Sequence, residues 1–244
     1  RHRGVAVIPA LEVLETGPLG LIEDEGRPGH ASVGVGHSGA ADRSAHRLGA
    51  RLAGHDEPLA SPQVLLGGLR VRARGRLTVA LTGAPAPARV DDRPIGHASL
   101  VDLAHGSVLT LGMPAAGLRT YLTVRGGIDV APVLGSRSAD TLSGVGPPPV
   151  RAGDVLPVGP AGATFPHVDQ AAHPSHAVPW GSGDTGVAEL EVLPGPRSAW
   201  VGGWGPSPGR PPGTTWPGHG ASDPIRLRPR GVPPPRAAPH RGGE

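Results

Sequence analysis

The chain has 244 residues and no cysteine, and its basic side chains are all arginine, with no lysine. Disulfides, thiolate metal sites, thiol nucleophiles, Schiff-base lysines and a biotin carried on this chain are therefore excluded. A formal net charge of +3 and 2% aromatic residues supply neither the basic patch nor the stacking platforms of a nucleic-acid binder.

The length accommodates one large domain or two small ones. No apolar run approaches the roughly 20 residues that a membrane-spanning helix needs. "GVAVIPALEVLE" is a short apolar run broken by Glu12 and Glu15, and it carries no signal-peptide cleavage pattern. A cytoplasmic protein with no membrane partner is the expectation. Arg1 in place of an initiating Met predicts a fragment, or a few misplaced residues.

In chain order, "EDEGRPGHASVGVGHSGAAD" (23–42) concentrates acids, histidines, Arg27 and Ser38 in a Gly-rich stretch. Its "GHSGA" (36–40) has the outline of a hydrolase nucleophile elbow with Ser38 as nucleophile. An elbow needs a strand, a sharp turn and a helix within a parallel α/β sheet. No further βαβ pattern follows, so Ser38 reads as a helix cap or a ligand-loop hydroxyl.

From Ala40 to Ala53, Ala41, Ala45, Leu48 and Leu52 recur at helical spacing, with Ser38 or Asp42 as cap and Gly54 at the C′ position. Arg43, Arg47 and Arg51 form a stripe at i, i+4 and i+8. It reads as a solvated face, with an anion-contacting edge as the alternative.

The chain from 11 to 160 is otherwise mostly β. "LRVRARGRLTVALTG" alternates Leu69, Val71 and Ala73 against Arg70, Arg72 and Arg74, then turns at Gly75-Arg76 into Leu77, Val79 and Leu81. "ARVDDRPIG" turns at Asp91-Asp92, and "SLVDLAHGSVLTLG" repeats the arrangement at His105-Gly106. "GLRTYLTVRGGIDV" and "RAGDVLPVG" add two strands. Short strands joined by tight turns predict a barrel or sandwich rather than a wound α/β sheet.

The character changes near residue 161. A polar linker (161–199) precedes a Pro- and Gly-rich tail (200–244) through which no strand or helix can run. His167, Asp169, His173 and His176 have chelator-like spacing, but they sit in the linker, and a zinc site needs three or four fixed ligands. His30, His37, His46 and His55 are spaced too loosely to be more than surface residues. No metal site is expected.

The strongest signal is joint. Gly-flanked charged loops recur at 23–29, 37–42, 81–84, 124–129 and 134–138. Singly each reads as a turn. Together they predict a shared rim for a small anionic ligand, with Arg27, Arg125 and Arg137 as planar forks for carboxylate or phosphate.

These motifs in order, "LEVLETGPLGLIEDEGRPGHASVGVGHSGAADRSAHRLGARLAG", "LTGA", "YLTVRGGIDVAPVLGSRS" and "TLSGVGPPPVRAGDVLPVG", resemble the biotin-dependent carboxyltransferase subdomain C/D family. That family includes the C-type chain of 5-oxoprolinase, KipA and allophanate hydrolase subunit 2. The resemblance implies a mainly β, cyclophilin-like barrel architecture over residues 1–160. It also implies a second subdomain, of which 200–244 would be an incomplete and poorly ordered remnant of a truncated or divergent chain. It further implies a 5-oxoprolinase B-type or KipI-like partner, possibly an A-type partner as well, and ATP as co-substrate of the complex. The activity implied is opening of 5-oxoproline to glutamate, or handling of a related small amide. The alternative is a non-catalytic, KipA-like module that antagonises a kinase inhibitor.

On this resemblance, Asp24, as general base or ligand orienter, belongs to the catalytic set with Arg27, Ser38 and Asp42. Thr82, Gly83, Arg125, Gly126, Gly127, Ser136 and Arg137 would contact substrate, the arginines as anion clamps. Departures from the family pattern are Glu23 where it carries Gln, Gly49 and His55 where it carries an Ala-Asn step and a later Gly-Asn, Pro62-Gln63 where it carries Leu-Glu, and Pro224 and Arg226 where Arg and Gly are expected.

Overall fold

The computed structural model describes residues 8–163 and 168–172. The tail expected to be an incomplete subdomain (200–244), the linker's 173–199, and His167, His173 and His176 lie outside the described residues.

The fold is mainly β. Its strands are β1 (Ala10–Thr16), β2 (Leu19–Glu23), β3 (Ser61–Leu65), β4 (Leu69–Arg74), β5 (Leu77–Gly83), β6 (Ala88–Val90), β7 (Arg93–Ile95), β8 (Leu100–Leu103), β9 (Val108–Leu111), β10 (Arg119–Val124) and β11 (Val155–Pro157). They form two antiparallel sheets, a six-stranded one in the order β11-β1-β4-β9-β6-β7 and a five-stranded one in the order β2-β3-β10-β5-β8.

The period-2 pattern becomes burial directly. Leu69, Val71 and Ala73 point into the core with Leu11, Val13, Leu103, Leu109 and Leu122. Arg70, Arg72 and Arg74 point outward and meet Glu15 and Glu12 of the neighbouring strand β1. Such exposed pairs contribute little, about 0–1 kcal/mol each. Burial of each leucine contributes about 1.5–3 kcal/mol and dominates.

The turns differ from a run of hairpins. Asp91 and Asp92, both with positive φ, do form a two-residue hairpin that pairs Val90 with Arg93. At Gly75-Arg76 and at His105-Gly106, however, the chain passes from one sheet to the other: β4 pairs with β1 and β9, β5 with β10 and β8. Alternation along a strand shows which face is buried. It does not show which strand lies alongside.

One α-helix, α1 (Arg43–Leu52), occurs among the described residues. It starts three residues later than the pattern from Ala40 predicts. The Ala40 and Ala41 N–H groups bond to the Asp24 carbonyl and to Gln63 Oε1, and the non-helical backbone of Asp42 (φ −109°, ψ 88°) sets the helix start after it. Asp42 is the cap, its Oδ1 accepting from the Ala45 N–H at 2.9 Å. The Arg43, Arg47 and Arg51 stripe is exposed, as a solvated face should be.

α1 lies flat on β5 and β10 because Gly49 has no side chain. A Cβ there would stand 2.1 Å from Thr123 Oγ1 and 3.2 Å from Thr82 Oγ1. Gly49→Ala should therefore reverse the usual helix preference. Alanine normally adds about 1 kcal/mol to a helix over glycine, yet the clash should cost about 1–3 kcal/mol instead. Equilibrium urea unfolding measures the sign; a stabilised variant would show that helix and sheet are not in this close contact.

Candidate functional site

At the C-terminal end of β2 the chain enters a loop held by one carboxylate. Asp24 Oδ1 accepts from the Gly26 N–H (2.8 Å) and from the Ser136 and Ser138 hydroxyls (2.6 Å each), and Oδ2 accepts from the Arg137 N–H (2.6 Å). Burial pushes this carboxyl upward, but the four donors outweigh it and hold Asp24 below the usual carboxylate range. A carboxylate so fully engaged is a weak base. Its geometry is that of a clamp joining residues 24–27 to 136–138.

Arg27 is the second tie, and its place corrects the expected rim clamp. It is 1% exposed. Its guanidinium donates to the Val133 and Ser138 carbonyls and to Ser38 Oγ. Every outward direction is occupied by protein, so no substrate anion can reach it. Ser38 accepts from Arg27 at 2.9 Å and donates to Asp140 Oδ2 at 3.2 Å. Ser38 has φ of +55°, but no strand leads directly into it, β2 ending at Glu23, and α1 starts five residues later. Its hydroxyl bridges Arg27 and Asp140; it caps no helix. Asp42 likewise spends its carboxylate on the cap.

The substrate-contact set divides. Thr82 is fully buried and its hydroxyl donates to the Ala45 carbonyl at 2.8 Å, a helix-to-sheet tie. Gly83 ends β5, opposite Thr120. Arg125 donates to the Gly162 carbonyl at 2.9 Å. Ser136 is consumed by Asp24. Gly126, Gly127 and Arg137 do meet, around a pocket of about 290 Å³ whose wall includes Leu59, Ile128 and Asp129. There Arg137 pairs with Asp129 at 2.9 Å and donates to the Val130 carbonyl at 2.7 Å. Gly126 has φ of +99°, and a Cβ on it would meet the Gly159 carbonyl oxygen at 2.2 Å. Here glycine serves close backbone packing rather than approach to a ligand.

The five loops do not make one rim. Backbone bonds from the Arg27 N–H to the His37 carbonyl (2.7 Å) and from the Ala40 N–H to the Asp24 carbonyl (2.9 Å) join the first two. Asp24 adds the loop at 134–138, and Arg137 adds Asp129. The loop at 81–84 stays apart, because β5 pairs with β10 as Gly83 to Thr120 and Val79 to Val124. That register puts Thr82 and Gly126 at opposite ends of the same strand pair.

A second polar group gathers beneath these loops, and the sequence marks only Glu23 and Gln63 of it. Glu23, Gln63, Arg119 and Tyr121 are buried on the face of the five-stranded sheet turned away from the main core, at 3%, 2%, 8% and 0% exposure. The Tyr121 hydroxyl donates to Gln63 Oε1 and accepts from the Asp42 N–H, both at 2.7 Å. Burial pushes the Glu23 carboxyl up to about 8 despite Ser138, Arg27 and Arg119 nearby. His46, expected at the surface, is 1% exposed and packs edge-on against Tyr121. A period-2 strand whose second face should meet solvent gives no warning that α1 and the loops cover it. Among the described residues no three metal-ligating side chains converge.

Two measurements test this geometry. Arg27→Ala should lower stability by about 3 kcal/mol, since it strands buried acceptors and Ser38; Arg137→Ala, at a half-exposed pair, should cost under about 1 kcal/mol. Equal losses in chemical denaturation would contradict the burial of Arg27. Glu23 holds its proton in the folded state up to about pH 8 but releases it near 4.5 when unfolded, so unfolding releases a proton between those values and stability falls as pH rises. His55, held down to about 4 chiefly by burial, has the opposite slope only below its ordinary value of 6.5. Glu23→Gln should therefore flatten the decline in Tm between pH 6.5 and 8, and an unchanged slope would show that Glu23 is ionised in place.

The model of the carboxyltransferase domain, subdomain A and B, matches residues 33–204. The C-type chain of 5-oxoprolinase from Escherichia coli (strain K12) is 38% identical over 152 residues, which is 61% of this chain and 49% of that protein. Urea amidolyase of Saccharomyces cerevisiae is 36% identical over 138 residues, 56% of this chain and 8% of that one. The chain thus spans about half the length of the former and a small part of the latter. Among solved structures, the K. lactis urea amidolyase is 29% identical with a TM-score of 0.63, covering 69% of this chain and 11% of that one. TTHA0988 is 30% identical with a TM-score of 0.63, covering 68% and 62%. With more than half of its length matched by the family's model, this chain belongs to the carboxyltransferase domain family.

Proposed function

We propose that the chain is the carboxyltransferase-type component of an ATP-dependent complex that opens a small cyclic amide, with 5-oxoproline to glutamate as the reaction. The observation that carries this reading is the 38% identity to the C-type chain of a 5-oxoprolinase over 61% of the sequence. A five-membered lactam is a resonance-stabilised amide that water attacks slowly. Transfer of a phosphoryl group from ATP to its carbonyl oxygen supplies a leaving group, and donors aimed at that oxygen stabilise the charge that develops. The chain has neither a P-loop nor a lysine, so nucleotide binding falls to partners, a B-type or KipI-like protein and an A-type one. No helix among the described residues is long and apolar enough to cross a membrane, which is compatible with work in the cytoplasm.

One observation favours a second reading, a non-catalytic KipA-like module that acts by binding a partner. Asp24, Arg27, Ser38 and Thr82 are all spent on internal contacts, which leaves little free chemistry on these loops. Co-expression with the B- and A-type partners, followed by glutamate release from 5-oxoproline, separates the two. Release should require ATP and every chain. A stable complex without turnover supports the binding module, and turnover by this polypeptide alone would overturn the partner-dependent reading.

A further inference from the structure

On its solvent side, the knot at Arg27 and Asp24 ends in apolar side chains left in water. Residues 131–135, Ala-Pro-Val-Leu-Gly, are all exposed. Val133 and Ser136 exchange both backbone hydrogen bonds, at 2.8 and 3.2 Å, so Leu134 and Gly135 are the two central residues of a hairpin turn. Both have positive φ, +51° and +79°. That is the mark of a type I′ turn, whose first central position favours Asn, Asp or Gly. A leucine there strains its backbone, and with half of Leu134 exposed, burial does not offset the strain. Two further aliphatics stand out on neighbouring loops, Val33 at 73% and Leu142 at 83% exposure.

All three tips hang from one network. The Val133 carbonyl accepts from Arg27 Nε, and Arg27 Nη1 donates to Ser38, which donates to Asp140. Asp140 in turn accepts from the Leu142 N–H at 2.9 Å. Gly36, three residues after Val33, passes so near that a Cβ on it would lie 3.6 Å from Asp140 Oδ2. Residues 28–36, 131–136 and 141–149 include no Asp, Glu or Arg, and the charges beneath them are spent inward. Single exposed leucines are ordinary. Three uncharged apolar tips on loops tied to one another mark a contact surface.

We propose that the tips carrying Val33, Leu134 and Leu142 form a docking surface for another protein chain, one that presents an uncharged apolar cleft. Tips that project need a concave seat, and tips without charge need a seat without counter-charges. A second copy of this chain matches poorly, because its clefts of about 290 and 330 Å³ carry Asp129 and Arg137, and Glu25, Arg47 and Arg51, in their walls. A membrane surface matches poorly too, since no arginine stands at the tips to meet lipid phosphate. Because the loops are already held by Arg27 and Asp140, docking orders little new backbone. That the cleft belongs to a partner in the complex rests on the 5-oxoprolinase-type reading; the surface itself rests on exposure, strain and the missing charge.

The test measures binding of the full chain to the purified B-type partner by calorimetry, with sedimentation of this chain alone. Asparagine suits the left-handed turn position, so Leu134→Asn should keep or raise Tm while weakening partner binding at least about 10-fold. Leu142→Ser should weaken binding in the same direction. The wild-type Kd should move less than about 3-fold between about 50 and about 500 mM NaCl, as an uncharged contact requires. Should one variant fail to fold, the other and the salt series still decide. A Leu134→Asn chain with lowered Tm and intact binding would make Leu134 a structural residue and overturn the surface. So would no binding of the B-type chain, a Kd that climbs steeply with salt, or a dimer of this chain that Leu134→Asn dissociates. Phosphatidylcholine vesicles that hold the wild-type chain and not the variant would overturn it as well. Turnover separates the surface from the reaction. A complex that opens 5-oxoproline and assembles equally well with Leu134→Asn removes the surface and leaves the reaction. A complex that assembles through these tips yet never releases glutamate removes the reaction and leaves the surface.

Discussion

The buried guanidinium of Arg27, with the carboxylate of Asp24 three residues before it, is the constraint on which the functional end of this molecule depends. Two loops distant in sequence, 24–42 and 130–140, have no sheet ladder to join them. Arg27 supplies directional donors to the second loop's carbonyls, and Asp24 draws in three of that loop's donors. The cost of burying a charge is met by carbonyl dipoles rather than by an ion pair. In return the loops hold a single relative position above the edge of the five-stranded sheet. Ser38 and Asp140 extend the same network outward.

That knot also explains why the second face of the five-stranded sheet is buried. With the loops fixed, α1 starts at a set place, because Ala40, Ala41 and Asp42 donate to Asp24, Gln63 and Tyr121 in turn. The helix then lies close over Thr82 and Thr123, which only Gly49 permits. Polar residues that would be solvated on an ordinary sandwich become interior groups. Most find partners; among the described residues Glu23 Oε2, Ser61 Oγ, Thr123 Oγ1 and the Arg119 Nε and Nη1 do not, in contrast with the fully engaged Asp24 and Arg27.

Much of the fold was legible in the chain. The alternation over Leu69–Arg74, the helical spacing of Ala45, Leu48 and Leu52, and the Asp91-Asp92 turn each carry a local physical preference that nothing overrides. The charged loops were legible as places, but their roles were not. Arg27 looks like a surface fork in sequence because arginine is mostly exposed, and only the converging carbonyls make it an interior tie. Thr82 looks like a ligand residue because glycine follows it, whereas a helix carbonyl claims its hydroxyl.

What the sequence determined by itself was local: the period of each strand, the presence of one helix, and the absence of lysine and cysteine chemistry. Each follows from dihedral preference, side-chain spacing or composition, which need no distant partner. The tertiary structure alone decided which turns join strands within a sheet and which cross between sheets, which arginines are buried, and which polar side chains share the face around Arg119. Those depend on strand register and on contacts between residues about 100 positions apart, such as Asp24 with Ser138, and no local pattern encodes a pairing over that distance.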